Sequence, residues 1–443
     1  MELVTSKVYM RGIPTRCMAA ALCVCGAICG ATQSGSPDPA FTSVPFDQWM
    51  NEGDKDHIRW KAHVLPVELS SHQRLLAKVE VVIDGNELER RRGKGQFAML
   101  IQFNDSEDRV YQTHQSFDLE QVQEGTGKLN ITFTQGAFVT PGDYRISLAI
   151  FDTATGEHSA LRLPLHVNPL KNDPLPTSWR DLPPVEIPKA TDAPDNLYLP
   201  EITRKLYLPV QTARPVRIEV LVNASPVAGD EYSRPRQINN RTLASLIPAL
   251  KVISQADARN GTMNVALLDL TTQQTIFRQD AVHDLDWGKL GPALKQAGPS
   301  VIDVHALENR KENAQFFVRE VRQRIGDSAE GESAPVVIVL SGPMSFGSGA
   351  DLHPIELERK RNVAIFYIRY HSIPPRQAID PFMGQSRRGR RMGAPGRTLL
   401  SNEPFDSLEQ TLKPLHPRLF DVTTPEDFRK ALGVVIDEIG SPR

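Results

Sequence analysis

Residues 171–212 hold the densest prolines of the chain, in KNDPLPTSWRDLPPVEIPKATDAPDNLYLPE, and the hydrophobic period differs on either side of them. Proline removes a backbone donor and stiffens the chain, so this segment reads as an extended linker. A chain of 443 residues is too long for one ordinary core, and a linker here divides it into two folded parts. Trp179, Leu197, Tyr198 and Leu199 are the linker residues able to pin it against a domain. The alternative is a proline-rich ligand for another module.

Residues 58–170 read as all-β. The runs AKVEVVID, FAMLIQF, RVYQTHQSF, KLNITFT, YRISLAIFD and LRLPLHV are rich in β-branched and aromatic residues, and turns such as DGNE, NDSED, EGTGK and TPGD separate them. In YRISLAIFD, Tyr144, Ile146, Leu148 and Ile150 share one face, with Arg145 and Ser147 opposite, the period of a half-buried strand. This pattern predicts a β-sandwich. PGDYRISLAIFD resembles a late strand of immunoglobulin-like and fibronectin-like modules, which implies a fold and no activity.

From residue 213 onward the texture alternates between strand and helix. VRIEVLV, PVVIVL and VAIFYIRY are near-continuous apolar runs, as expected of parallel strands covered on both faces. MNVALLDL and QTIFR are strands joined by the turn TTQ. Leu243, Leu246, Ile247 and Leu250 fall on one face of a helix, as do Phe317, Val318, Val321 and Ile325. DSLEQTLKPL is a short helix and RLFDV a strand. In TPEDFRKALGVVIDEI, Thr424 fits an N-cap, Pro425 the first turn, and Phe428, Leu432, Val435 and Ile439 the buried stripe. The expectation is an open α/β sheet.

At the N-terminus, Lys7, Arg11 and Arg16 precede CMAAALCVCGAICGA, a short apolar stretch ending in small residues. That layout predicts a secretory signal peptide over residues 1–31, cleaved after Ala31, with a lipoprotein or a retained anchor as alternatives. Residues 32–57 are polar and proline-bearing and read as a flexible lead-in. All four cysteines (Cys17, Cys23, Cys25, Cys29) lie within the leader. The remainder therefore has no disulfide, thiol nucleophile or cysteine metal site. The formal net charge of −2 supplies no global field for nucleic acid.

Residues 213–443 resemble a von Willebrand factor type A domain in the order of their elements. A leading strand ends in a polar loop, a helix follows, then a strand hairpin, then helix–strand repeats. The fold expected for the whole chain is an immunoglobulin-like sandwich followed by this Rossmann-like open sheet. The layout, with VVIVLSGPMSFGSGADLHP and RLFDVTTPEDFRKAL, also resembles exported type A-related proteins of acidobacteria. The family places Asp-x-Ser-x-Ser and a magnesium ion where this chain has Asn223, Ser225 and Val227. Asn223 lacks the charge, Ser225 matches, and Val227 supplies no ligand. A later family aspartate is replaced within Ser341-Gly342-Pro343. Magnesium asks for about six hard oxygens, so the resemblance implies a degenerate site with no metal and no cofactor.

No His-Glu-x-x-His and no Gly-x-Ser-x-Gly before a helix occurs. GPMSFGSGAD lacks the lysine of a phosphate loop and reads as a rim loop. In DAVHDLDW, Asp280, His283, Asp284 and Asp286 form either a metal cluster or, in the favoured reading, a solvated helix approach with Asp286 as N-cap. ERRRGK at 89–94 reads as a basic hairpin turn. Arg387, Arg388, Arg390, Arg391 and Arg397 lie in a long glycine- and proline-bearing segment, a solvated loop or a site for an acidic partner. The expected activity is that of an exported, non-enzymatic protein-binding module with peripheral envelope association. Its candidate contacts are Ser225, Arg387, Arg388, Arg390 and Arg391, and its protein partner is unidentified. The alternative is an exported hydrolase around His305, His353 or His371.

Overall fold

The computed structural model describes residues 30–32, 38–52, 58–93, 95–188, 202, 204–225, 240–296, 310–326, 334–344, 355, 363–371 and 406–441. These form a β-rich, multi-domain protein with four sheets.

The part before the linker contains β1 (Gly30–Thr32), α1 (Pro39–Thr42), α2 (Phe46–Glu52), β2 (Trp60–Leu69), β3 (Leu75–Asp84), α3 (Gly85–Arg90), β4 (Gln96–Asn104), β5 (Val110–Asp118), β6 (Asn130–Val139), β7 (Gly142–Asp152) and β8 (His158–Val167). They build two antiparallel sheets, β1-β5-β4-β7-β8 and β2-β3-β6, the latter closed by β9 (Val185–Glu186) from the linker. Val79, Val81 and Ile83 of β3 share a buried cluster with Met99, Ile101 and Phe103 of β4 and Ile146 and Leu148 of β7. Successive side chains of a strand point to opposite faces, so one sheet face meets the other across this core.

The second face of β7 is also covered. Phe41 and Phe46 with Trp49 and Met50 of α2 bury themselves against Leu100, Ala149 and Ala160. Trp49 stacks on His158 with ring centroids 4.2 Å apart. Asp38, fully buried, caps α1 through Ala40 N and pairs with His114 Nδ1 at 2.7 Å. Residues 38–52 are therefore a docked cover, where a flexible lead-in was expected. This is why Ser147, expected toward solvent, is 3% exposed. The basic ERRRGK segment differs as well. Its first two residues end α3, and the side chain of Arg91, the next, is buried among Glu87, Asp152 and Glu157.

The described parts of the linker are residues 171–188, 202 and 204–212. Its first piece adds β9 to the sandwich sheet at Phe138↔Glu186 and Val139↔Val185. Its second piece supplies β10 (Leu208–Val210), which pairs in parallel with β12 (Ala256–Ala258). Trp179 pins the first piece, donating from Nε1 to Gln73 O at 2.8 Å. Leu197, Tyr198 and Leu199 lie outside the described residues.

The part after the linker contains β11 (Val216–Asn223), α4 (Asn240–Ile253), β13 (Gly261–Asp269), β14 (Gln274–Gln279), α5 (Trp287–Gln296), α6 (Arg310–Gly326), β15 (Ala334–Ser341), β16 (Ala364–Tyr370), α7 (Ser407–Leu412), β17 (Arg418–Val422) and α8 (Pro425–Gly440). Six strands form one sheet in the order β14-β13-β11-β15-β16-β17. All neighbours are parallel except the edge pair β13–β14. Ile218, Val220 and Val222 of β11 face a layer with Leu246, Ile247 and Leu250 of α4 and Phe428 and Leu432 of α8. Leu221 faces the opposite layer, with Phe317, Val321 and Ile325 of α6 and Leu408 and Leu412 of α7. A strand covered twice reads as continuously apolar. The expected cap of α8 is a reciprocal box in which Thr424 and Asp427 each bond the other's backbone N–H. Among the described residues, no helix is long and apolar enough to cross a membrane.

One clasp joins linker, sandwich and α/β part. Arg429 of α8, 2% exposed, holds Asp173 through Nε and Nη2 at 2.6 and 2.8 Å. Its Nη2 also donates to Leu175 O and Ser178 Oγ, both at 2.8 Å. The guanidinium lies 4.5 Å from the centre of the Trp179 ring. Gln73 Nε2 reaches Pro425 O at 3.0 Å. One turn beyond Arg429, Gly433 lets the linker approach: a Cβ there would stand 2.8 Å from Pro174 Cβ. Gly433→Val is thus expected to lower stability by about 2 kcal/mol in a urea melt. The added volume costs about 1–3 kcal/mol, while the gain in helix propensity over glycine is only about 0.4 kcal/mol.

Candidate functional site

The carboxyl ends of the central strands are where an open α/β sheet gathers its loops and ligands. Val222 of β11 faces Leu340 of β15, and the next residues along are Asn223 and Ser341. Asn223 also faces Leu268 of β13. Three strand ends thus bring together polar residues that lie far apart in sequence.

Asn223 Nδ2 donates to Ser341 Oγ at 2.9 Å and lies 3.3 Å from Met344 Sδ. Its Oδ1 accepts from Ser225 N at 3.0 Å. Ser341 Oγ donates onward to Gly342 O at 2.6 Å. Ser225 Oγ accepts from Leu270 N at 2.6 Å and donates to Asp269 Oδ1 at 3.4 Å. That same carboxylate oxygen accepts from Thr271 N and Oγ1 and from Thr272 N. Each buried polar group finds its partner inside the cluster, as burial requires.

A second knot lies beside it. Asp406, the N-cap of α7, accepts from Leu408 N at 3.1 Å, Met344 N at 3.3 Å, Tyr367 Oη at 2.9 Å and Arg369 Nη1 at 3.2 Å. Burial, reinforced by the Asp406 charge, pushes the Tyr367 hydroxyl well above its ordinary pKa, so it stays a donor. Arg369 extends to Glu409 and Asp421. Although burial opposes its charge, Asp421 and Asp406 hold the guanidinium above its ordinary range. Burial likewise opposes the Asp421 charge, yet Arg369 and His371 hold that carboxyl below its ordinary range.

Asn223, Ser225, Asp269, Ser341, Tyr367, Arg369 and Asp406 are all at most 6% exposed. Ser225, expected as a partner contact, is 2% exposed with its hydroxyl taken by Leu270 N. It shapes the rim from beneath instead of presenting itself. Val227 and Arg387, Arg388, Arg390, Arg391 and Arg397 lie outside the described residues, as do His305 and His353. His371 pairs with Asp421 at 2.7 Å. In the acidic stretch near α5, Asp286 accepts from Lys289 N as the expected N-cap, Asp280 pairs with Arg278, and Asp284 pairs with Lys205.

Among the described residues, the donor set does not fit a hard divalent cation. The amide nitrogen of Asn223 faces the Ser341 hydroxyl and a thioether sulfur, and the amide oxygen is held by Ser225 N. A hard cation instead requires converging oxygens carrying negative charge. Among the described residues, no three His, Cys, Asp or Glu side chains gather as a metal cluster.

Sequence reasoning missed Asp269, Tyr367, Arg369 and Asp406. The one available signal was Arg369, a charge inside the apolar run FYIRY, which demands buried partners.

No protein-family model matches the chain, and no curated protein matches it. Three solved structures align with parts of it. A structural-genomics target is 14% identical, over 26% of this chain and 87% of its own, with a TM-score of 0.17. The putative ApaA protein from Bordetella pertussis is 14% identical, over 25% of this chain and 90% of its own, with a TM-score of 0.16. The pilus adhesin SpaC from Lactobacillus rhamnosus GG is 9% identical, over 69% of this chain and 34% of its own, with a TM-score of 0.24. None of the three carries an argument about fold or activity.

Proposed function

We propose that the protein is an exported, non-enzymatic binding module that engages a protein partner without a metal ion. On this reading the first half is an immunoglobulin-like sandwich, and the second half is a Rossmann-like, von Willebrand factor type A-like domain. Support for the second assignment is the strand order. Numbered by appearance in the sheet it runs 3-2-1-4-5-6, the doubly wound order, with the antiparallel edge that a β13–β14 hairpin creates. Support for the first is the pair of facing antiparallel sheets.

The observation that carries the metal-free reading is the Asn223–Ser341 hydrogen bond. It joins the two strand ends directly, at the place where the family that the chain resembles holds an ion. The buried polar knot then serves as a rigid floor, and the loops above it form the contact surface.

The test is a thermal melt of the full chain with magnesium, calcium or manganese added, against a chelator control. The expected result is no saturable rise in melting temperature. A ligand of the native state must stabilise it, by about 2.7 kcal/mol at one hundred times its Kd. A saturable rise therefore overturns the metal-free reading. Capture of the partner from native envelope extracts is expected to be unchanged by the chelator.

A further inference from the structure

An edge strand presents unpaired backbone N–H and C=O groups to any strand that can lie against it. Most sheet edges among the described residues are blunted. β8 carries Pro164. β2 carries Pro66 and slips register between Leu65 and Glu68. β9 is two residues long and β17 five. β14 pairs across a register shift at Leu267/Leu268.

β5 is the exception. Its nine residues, VYQTHQSFD, include no proline, lysine or arginine. It pairs with β4 without a slip from Gln96↔Asp118 to Asn104↔Val110. Val110 at its start is 40% exposed, the one exposed large apolar side chain among the described residues. The far side of β5 is met by β1 alone, at Gly30↔His114, Ala31↔Thr113 and Thr32↔Gln112. The expected leader ends at Ala31, so cleavage there divides β1 and leaves only its Thr32.

We propose that the β5 edge is a contact surface for a second copy of this chain, opened when the leader is removed. The inference rests on the exported reading given above. β1 lies antiparallel on this edge, and two identical strands related by a twofold axis also meet antiparallel. Residues opposite each other must share a face of the sheet. A pair centred on His114 meets that condition and matches all nine residues. It sets Tyr111 against Phe117 of the second copy on the core side, and Gln112 against Ser116 on the outer side. Asp118, the one carboxylate of the strand, meets Val110, so no like charges are opposed there. Each His114 meets its twofold mate with Nδ1 already bonded to Asp38 at 2.7 Å. The sheets of the two copies then run on as one.

The unmodified full chain is the reference in sedimentation velocity and is expected to be monomeric. A second form carries a specific protease sequence after Ala31, so the edge can be uncovered without relying on processing in the cell. After the cut, a concentration-dependent dimer is expected, with amide exchange over Val110–Asp118 slowing as it forms. Ser116→Lys places a charge on the edge, a device natural sheets use against such pairing. In the cut chain it is expected to weaken the dimer roughly tenfold, the scale of about 1.4 kcal/mol, with the melting midpoint of the monomer unchanged. The proposal is overturned if the cut chain stays monomeric, if the reference pairs equally well, or if the dimer forms with no slowing in β5 or ignores Ser116→Lys. Protection of β5 that appears only with another envelope protein would also overturn it, by giving the edge to a different partner. The N-terminus of the chain recovered from its native envelope is read separately. A retained leader there overturns the exported reading, whatever the cut chain does.

Discussion

Arg429→Met is expected to cost about 3–5 kcal/mol in equilibrium urea unfolding, the range for removing one partner of a buried ion pair. Methionine restores much of the volume, so the loss is not chiefly a cavity. It comes from Asp173, left 8% exposed by side chain with its main cation gone, and from Leu175 O and Ser178 Oγ, which lose a shared donor. Surface pairs are worth about 0–1 kcal/mol, so a loss below about 1 kcal/mol would show that the clasp is not the buried pair described. The double variant Arg429→Met/Asp173→Leu is expected to recover much of the loss. It removes both charges, and it also removes the buried Arg429 Nη1, which has no partner among the described residues. Linker cleavage by a protease should follow the same order, fastest in the single variant.

The second large effect concerns the strand ends. Asn223→Asp is expected to cost about 2–4 kcal/mol at neutral pH. The change removes the donor to Ser341 and places a carboxylate at a position 2% exposed. A lost buried hydrogen bond accounts for about 1–3 kcal/mol of this, and desolvation of the new charge for the rest. The sign with pH follows from linkage. Burial raises the folded-state pKa of the new carboxyl above its unfolded value of about 3.9. The charge part of the deficit is therefore absent below about pH 4 and grows as pH rises toward the folded pKa, while the hydrogen-bond part persists at every pH. Magnesium is expected not to restore the variant, because Met344 Sδ and the Ser341 hydroxyl remain its neighbours. Full recovery with magnesium would mean that one substitution separates this site from an ion-binding one. Chemical melts at several pH values, with and without magnesium, distinguish the outcomes.

Both results bear on what could be read from the residues alone. Period and composition located the sheets because strands such as β3, β7 and β15 carry their own pattern. The stripe of α8 and its Thr424 cap were equally legible, since a cap and a repeat are local properties. Residues 38–52 were not legible. Two helices of a turn or two hold Phe41, Phe46 and Trp49 in a polar context, and no period can emerge over so few residues. The linker misled for a related reason. Proline announces an extended backbone and says nothing of what that backbone lies against. At the strand ends, Asn223 and Ser341 stood out because each closes an apolar run. Asp406 did not, since its capping of α7 already accounts for an aspartate there, while its bonds to Tyr367 and Arg369 span 39 and 37 residues.

The clasp has a consequence for the order in which the chain assembles. Arg429 and Asp173 are 256 residues apart, and Gln73 and Pro425 are 352 apart. Sandwich strands pair over much shorter separations, and closing long loops delays the contacts that depend on them. A nascent chain can therefore complete its first sheets long before α8 exists. Until then the Asp173 carboxylate and the ring of Trp179 face solvent on a finished half. The junction is a late checkpoint, closing only when the α/β part has folded well enough to present Arg429. Truncation or slow synthesis beyond residue 425 would leave a half-built protein that is natively paired inside and open at its waist, the form a quality-control protease meets first.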